Sequence, residues 1–302
     1  MTRRLLALTL AAAPALAAGQ RTMHAPLTAQ LPLGARAAAL GGGNAASRDA
    51  EGALMNPANV GVSTGMGVNL VRYRDGTAGG ALGHAGSVGS MGVGIAVSYL
   101  DYQPSFASMG IVSDAPLVDG GAGSAASLAA SAAMSVAWKG MRWGAAATYL
   151  EERVETSRSG AAAVSLGVSR SAQFGFASFG LALQNVGPSL RFGRTDVPLP
   201  TRLALGASGA QFPLNAWFDL GVDAGLSVRR DGLVGGALGG ELSWVPIEGV
   251  SAALRAGVRR PELKAQGPGT AGFGLSLDRF AIDYAFEQMR EGGAHRIGLR
   301  VR

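Results

Sequence analysis

The sequence predicts an all-β fold, a closed antiparallel barrel of fourteen strands that spans a membrane. Three observations predict it. Between Met66 and Arg302 the chain runs as short stretches in which large apolar residues alternate with small, polar or charged ones. The connections between these stretches are alternately very short and longer. The second face of the stretches is built largely from Gly, Ala and Ser, which offer little bulk for a water-soluble core, so the apolar face belongs against lipid. In Met91–Tyr99, for example, Met91, Val93, Ile95, Val97 and Tyr99 share one face and Gly92, Gly94, Ala96 and Ser98 the other.

Taken in order, the chain opens with Arg3 and Arg4, an apolar run from Leu5 to Leu16 and the small-x-small site Ala15-Leu16-Ala17. This predicts a secretory signal peptide over 1–17, because the run is too short to span a bilayer. No later segment reaches the roughly 18 uninterrupted apolar residues of a membrane helix. Residues 18–65 precede the first strand. With 47 glycines, 15% charged and 6% aromatic residues among 302, the composition departs from that of soluble domains. There is no Cys, which excludes disulfides, metal thiolates and a thiol nucleophile. The formal charge of +6 is spread singly along the chain, so the clustered footprint of a nucleic-acid binder is missing.

The predicted strands are 66–73, 78–85, 91–102, 124–138, 141–155, 161–170, 174–186, 201–210, 216–228, 233–245, 250–259, 271–277, 280–288 and 295–302. An even count suits a closed bacterial barrel. The turns after even-numbered strands, such as Lys139-Gly140 and Asp278-Arg279, are short. Those after odd-numbered strands include Gln103–Gly123, Thr156–Gly160, Gly187–Pro200 and Arg260–Thr270. Short periplasmic turns and longer outer loops would fix the orientation. Trp138, Trp143, Trp217 and Trp244 fall at the expected periplasmic ends, and Tyr73, Tyr99, Tyr102 and Tyr149 toward the other rim, as interfacial girdles require.

Charges give a further line of argument. If Leu254, Val258, Ile282, Tyr284, Phe286, Ile297, Leu299 and Val301 face lipid, then Arg255, Asp283, Glu287, Arg296 and Arg300 face inward, and the same alternation places Arg202, Asp219, Asp223 and Glu241 there. An Arg on the lipid face near midplane would cost about 2–4 kcal/mol. The inward charges read either as ion pairs that hold the lumen or as contacts to a polar solute. Glu151, Glu152 and Glu155 read as a solvated outer rim.

Chemistry is sparse. Gly61-Val-Ser63-Thr-Gly65 fits the G-x-S-x-G pattern but lacks the strand-to-helix elbow that a nucleophile needs. His24, His84 and His295 lack metal-ligand spacing. Gly41-Gly42-Gly43 is not followed by Lys-Ser/Thr and is no phosphate loop. No catalytic residue, metal or cofactor is expected, and a serine hydrolase centred on Ser63 is the least favoured reading.

The stretch Gly34 to Gly61, with Gly34-Ala-Arg36, Gly41-Gly42-Gly43 and Asn56-Pro57-Ala58, resembles the N-terminal signature of the PorV/PorQ family of FadL-like outer-membrane barrels. The resemblance continues at Leu183–Pro188, Pro198–Gly206, Ala253–Gly257, Phe280–Phe286 and His295–Leu299. It implies a bacterial outer-membrane barrel over 66–302 whose segment 18–65 folds into the lumen as a plug, with Asn56, Pro57 and Ala58 as its motif. On turn chemistry alone, Asn56-Pro57 is equally a simple turn into the first strand. The chain departs from the family in ending on Arg302 rather than an aromatic residue. The partners this implies are outer-membrane lipid and either secretion-system proteins of a type IX-like pathway or a hydrophobic solute. The two corresponding functions are a secretion-associated scaffold and a gated channel for small hydrophobic solutes.

Overall fold

The computed structural model describes residues 24–43, 45–47, 54–62, 64–102, 124–171 and 177–301. The expected signal peptide, Ser63 and the loop 103–123 lie outside the described residues. Fourteen strands close into one antiparallel barrel: β1 Gly65–Tyr73, β2 Ala78–Val88, β3 Met91–Tyr102, β4 Ala125–Trp138, β5 Met141–Val154, β6 Ser157–Ser171, β7 Ala177–Val186, β10 Arg202–Pro213, β11 Phe218–Arg229, β12 Val234–Ile247, β13 Val250–Arg260, β14 Gln266–Leu277, β15 Phe280–Met289 and β16 Gly293–Val301. Each pairs with its neighbours in sequence order, and β1 closes on β16 from Met66↔Val301 to Tyr73↔Ala294. Closure leaves no free sheet edge.

Alternation decides which face is which. Ile95, Leu254, Ile282 and Ile297 are between 52% and 68% exposed, while their chain neighbours Ala96, Arg255, Asp283 and Arg296 are at most 8% exposed. The apolar face therefore points outward and the small or charged face inward. Trp138, Trp143, Trp217 and Trp244 are all exposed at one rim, hereafter the tryptophan rim. The two-residue hairpin Lys139-Gly140 there has φ of 50° and 73°, the mirror-image turn that matches strand twist.

Three expectations are corrected. Tyr99 and Tyr149 are exposed on the outer face, but Tyr73 and Tyr102 are buried in the lumen, where their own parity in β1 and β3 puts them. Thr156–Gly160 is no loop: β5 turns at Glu155, with φ 54°, and β6 starts at Ser157. Within 187–200 a small hairpin forms from β8 (Leu190–Phe192) and β9 (Thr195–Val197). It folds inward because Leu190 and Leu199 pack on Leu150, Ala161 and Ala163. We call this end the loop rim.

The segment before β1 runs through the barrel interior. It starts at the loop rim, where the Ala25 amide donates to the Pro198 carbonyl at 3.3 Å and His24 Nε2 lies 3.3 Å from Asp231. A turn at Leu27–Gln30 buries Leu27 and, just beyond it, Leu31 against Val71, Tyr73, Leu100, Tyr102 and Met289. A short helix, α1 (Ala35–Ala39), then packs on β13–β16. The chain crosses to β7 at Ala45, and a last turn, Pro57–Asn59, packs on β4, β5 and β6 before β1 begins.

Candidate functional site in the lumen

The lumen segment meets the wall in two ways. On one arc, strand pairing sets Gly92, Ser135, Gly144, Gly167, Ala182 and Ala204 side by side as a belt of small inward residues on six neighbouring strands. The segment lies on this belt. A Cβ at Gly92 would collide with Val60, at Gly144 with Pro57 and at Gly167 with Asn56. Missing side chains here are what let two backbones touch. Ser135 Oγ donates to the Val60 carbonyl at 2.5 Å.

Asn56, Pro57 and Ala58 form a self-capped turn. The Asn56 side-chain oxygen accepts from the Ala58 amide at 3.0 Å, and its nitrogen donates to the Ala45 carbonyl at 2.6 Å. Pro57 takes the first position of the turn, where no amide hydrogen is needed. Asn59 Nδ2 donates to the carbonyls of Ala45 and Ser47 at 3.0 and 2.8 Å. All three motif residues are buried. Two asparagines thus tie the end of the segment to its middle.

The opposite arc adds charge to the same close approach, which there sets Gly239, Gly257 and Gly272 against Leu40, Gly41 and Ala39. Glu241 faces Arg36 of the segment at 3.1 Å and also accepts from Arg255. Arg255 reaches Asp283 at 2.7 Å, and Asp283 pairs with Arg300 at 2.8 Å. A second group joins Arg259 to Glu287 at 2.6 Å and Glu287 to Arg296 at 3.0 Å. Asp223 lies 4.0 Å from Arg36. Arg202 donates to Gln184 and lies 3.5 Å from Glu262. Asp219 shares the inward face of β11 at the tryptophan rim and is half-buried. Alternating signs leave each buried charge a partner, which the interior demands.

Several contact residues were not singled out by the sequence. Arg259 has the parity of Arg255 and was readable from it. Glu152, expected in a solvated rim, is instead 1% exposed in the lumen, where it accepts from the Leu27 amide at 2.9 Å and from Tyr102. Glu151 points outward but is covered by Tyr149, Arg153 and Arg158. Asn69 accepts from the Ala35 amide at 2.8 Å, and Thr270 donates to the Ala39 carbonyl at 2.9 Å. Near Gly42, Gln184, Arg202 and Gln266 lies a cavity of about 80 Å³ with both polar and apolar lining. Among the described residues no group of His, Asp and Glu could hold a metal ion. His84 and His295 lie on the outer face, the latter bonded to Tyr284 at 2.7 Å.

No family model and no curated protein matches the sequence. Solved structures do resemble it. The toluene transporter TbuX of Ralstonia pickettii superposes with a TM-score of 0.57 at 14% identity, over 90% of this chain and 98% of that one. The toluene transporter TodX of Pseudomonas putida gives 0.57 at 11% identity, over 93% and 98%. The monoaromatic hydrocarbon channel CymD gives 0.59 at 10% identity, over 89% and 96%. The fold is FadL-like. At these identities the likeness establishes the barrel architecture, and the lumen contacts above are this chain's own.

Proposed function

We propose that this chain is an outer-membrane channel for small apolar solutes whose lumen is closed by residues 18–65, with 66–302 as the membrane-spanning barrel and 1–17 as a secretory signal. The observation that carries this reading is the path of the lumen segment, which runs from the loop rim to the tryptophan rim and touches both arcs of the wall. A solute can pass only if that segment moves. Leu27 and Leu31 cover Val71, Leu100, Tyr102 and Met289, so displacement would open an apolar surface at the loop rim. This is the surface a hydrocarbon would enter, and the fold shared with toluene transporters supports that solute class. The inward charges act as ion pairs, and no catalytic step is involved. The loop rim faces the cell exterior, in keeping with short turns at the tryptophan rim.

A second reading is a closed scaffold for secretion-system proteins, as the PorV/PorQ resemblance implies. The close contact of the segment with Gly92, Gly144 and Gly167 on one arc and with Gly239, Gly257 and Gly272 on the other favours it. Toluene uptake by liposomes carrying the purified barrel separates the two. A channel admits toluene faster than empty liposomes, and deletion of residues 35–59 raises the passage of small polar solutes as well. A correctly inserted barrel that admits no toluene, and a deletion variant with unchanged conductance, would overturn the channel and favour the scaffold.

A further inference from the structure

The outer face from β3 to β10, centred on β4–β7, carries a groove of about 510 Å³, within the range of about 300–1,000 Å³ typical of small-ligand sites. Its outward lining is apolar: Met134, Val136, Trp143, Leu166, Val168 and Leu181 stand around Ala145. Cross-strand pairing explains the hollow. The row Met134, Ala145, Leu166 places one small residue between two large ones. The floor is one backbone thick, because Gly144 and Gly167 meet the lumen segment on the other side.

Charge at the groove's lower end is of one sign. Arg170 lies two residues beyond Val168 on the same outward face, about 7 Å away by strand geometry. It is exposed and has no hydrogen bond or ion pair among the described residues. Lys139 sits on the adjacent hairpin, with Nζ 4.5 Å from the Trp138 ring centroid. From Gly86 to Ala96, Met134 to Ala147 and Val164 to Leu181 the sequence contains no Asp or Glu. By contrast, the tryptophan rim on the other side of the barrel carries Asp219, Glu248 and Asp278. Cations beside Trp rings at the edge of an apolar face are what a lipid phosphate meets at a membrane interface.

We infer that this groove is a specific site for one anionic glycerophospholipid, with an acyl chain against Ala145 and the phosphate at Arg170 and Lys139. The inference rests on the membrane placement proposed above. The chain's own side chains supply both halves of the recognition, an apolar trough and a cationic end with no carboxylate partner among the described residues.

Native mass spectrometry of the purified barrel tests it, with phosphatidylglycerol and phosphatidylcholine as competing probes. One phosphatidylglycerol should be retained in preference. Arg170→Gln should weaken its retention roughly fivefold, and Arg170→Gln with Lys139→Gln roughly thirtyfold. Ala145→Trp, which fills the trough and leaves both cations, should lower retention of either lipid. Inorganic phosphate should not displace the lipid; displacement would mean a simple anion site and would overturn the proposal. Equal retention of both lipids by wild type, or unchanged retention in the folded double variant, would also overturn it. Liposome insertion is scored separately: a barrel that does not insert refutes the membrane reading, and one that inserts without lipid preference refutes only this site.

Discussion

On β3–β6 the wall meets the lumen segment as bare backbone, at Gly92, Gly144 and Gly167, whereas on β12–β16 the same close approach, at Gly239, Gly257 and Gly272, is joined by charge, with Arg36 set against Glu241 at the end of a ladder. The first contact is steric and leaves no room for adjustment. The second is electrostatic and largely complete without the segment. If Arg36 withdraws, Glu241 keeps Arg255 and Asp283 keeps Arg300, two acids against two bases. The ionic ladder therefore stabilises the wall, and the close backbone approach at the glycines determines where the segment sits. Release on this side would cost the Arg36 contacts to Glu241 and Asp223 together with the Ala35–Asn69 and Ala39–Thr270 hydrogen bonds, while the rest of the ladder keeps its pairs.

The largest expected effect breaks the ionic arc from within. Asp283→Asn leaves Arg255 and Arg300 buried without their shared carboxylate, and removing one partner from such a group costs about 3–5 kcal/mol. Denaturant unfolding of the barrel should shift by that amount, with toluene uptake unchanged in the protein that remains folded. A loss under about 1 kcal/mol, the value of exposed pairs, would mean that water screens the ladder.

Next comes the steric arc. Gly167→Val drives a side chain into Asn56 and should cost about 1–3 kcal/mol through overpacking. Here the readout is reversed: the segment is displaced, conductance rises and the wall unfolds as before. Gly240→Val is the control, because the nearest atom to a Cβ there is 4.0 Å away. If both variants conduct alike, the glycine belt does not seat the segment.

The sequence made the two faces of each strand legible, because alternation with a period of two is local. Ile95 and Ala96, or Leu254 and Arg255, could be assigned before any pairing was known. Tyr73 and Tyr102 show where that rule was set aside for a girdle argument that parity contradicted. The belt from Gly92 to Ala204 was not legible, because it exists only once six strands adopt one register, and register is a property of pairing. Nor was the path of the lumen segment: Gly41-Gly42-Gly43 and Asn56-Pro57 marked turns, but nothing local says that residue 25 meets residue 198. Arg36 stood within a recognised stretch, yet its partner lies 205 positions away.

A smaller effect isolates Arg36, the charge by which α1 meets the ladder. Arg36→Gln removes the segment's pairing with Glu241, and Arg36 is 21% exposed along its side chain, so a loss of up to about 1 kcal/mol is expected. Barrel unfolding should be unaltered. Protease cleavage within 35–43 in intact barrels should quicken. A destabilised wall with a protected segment would show that Arg36 belongs to the ladder rather than to the plug.

The smallest effect concerns pH at the start of the segment. Burial, reinforced by the Arg229 guanidinium and opposed by the Asp231 carboxylate, lowers the His24 pKa to about 4. Once the segment leaves the lumen, His24 should regain its ordinary value near 6.5. Seating therefore favours neutral imidazole. Its contribution is fully present above pH 6.5 and declines as pH falls toward 4, because the displaced segment takes up a proton that the seated one resists. Asp231, whose own pKa is lowered chiefly by its hydrogen bonds and ion pair with Arg229, loses its charge only below that window. Cleavage near residues 24–31 should accelerate between pH 6.5 and 4 in wild type, and His24→Gln should remove that dependence while leaving the rate at pH 7.5 nearly unchanged. A pH profile that persists in His24→Gln would assign the sensitivity to the carboxylates of the wall instead.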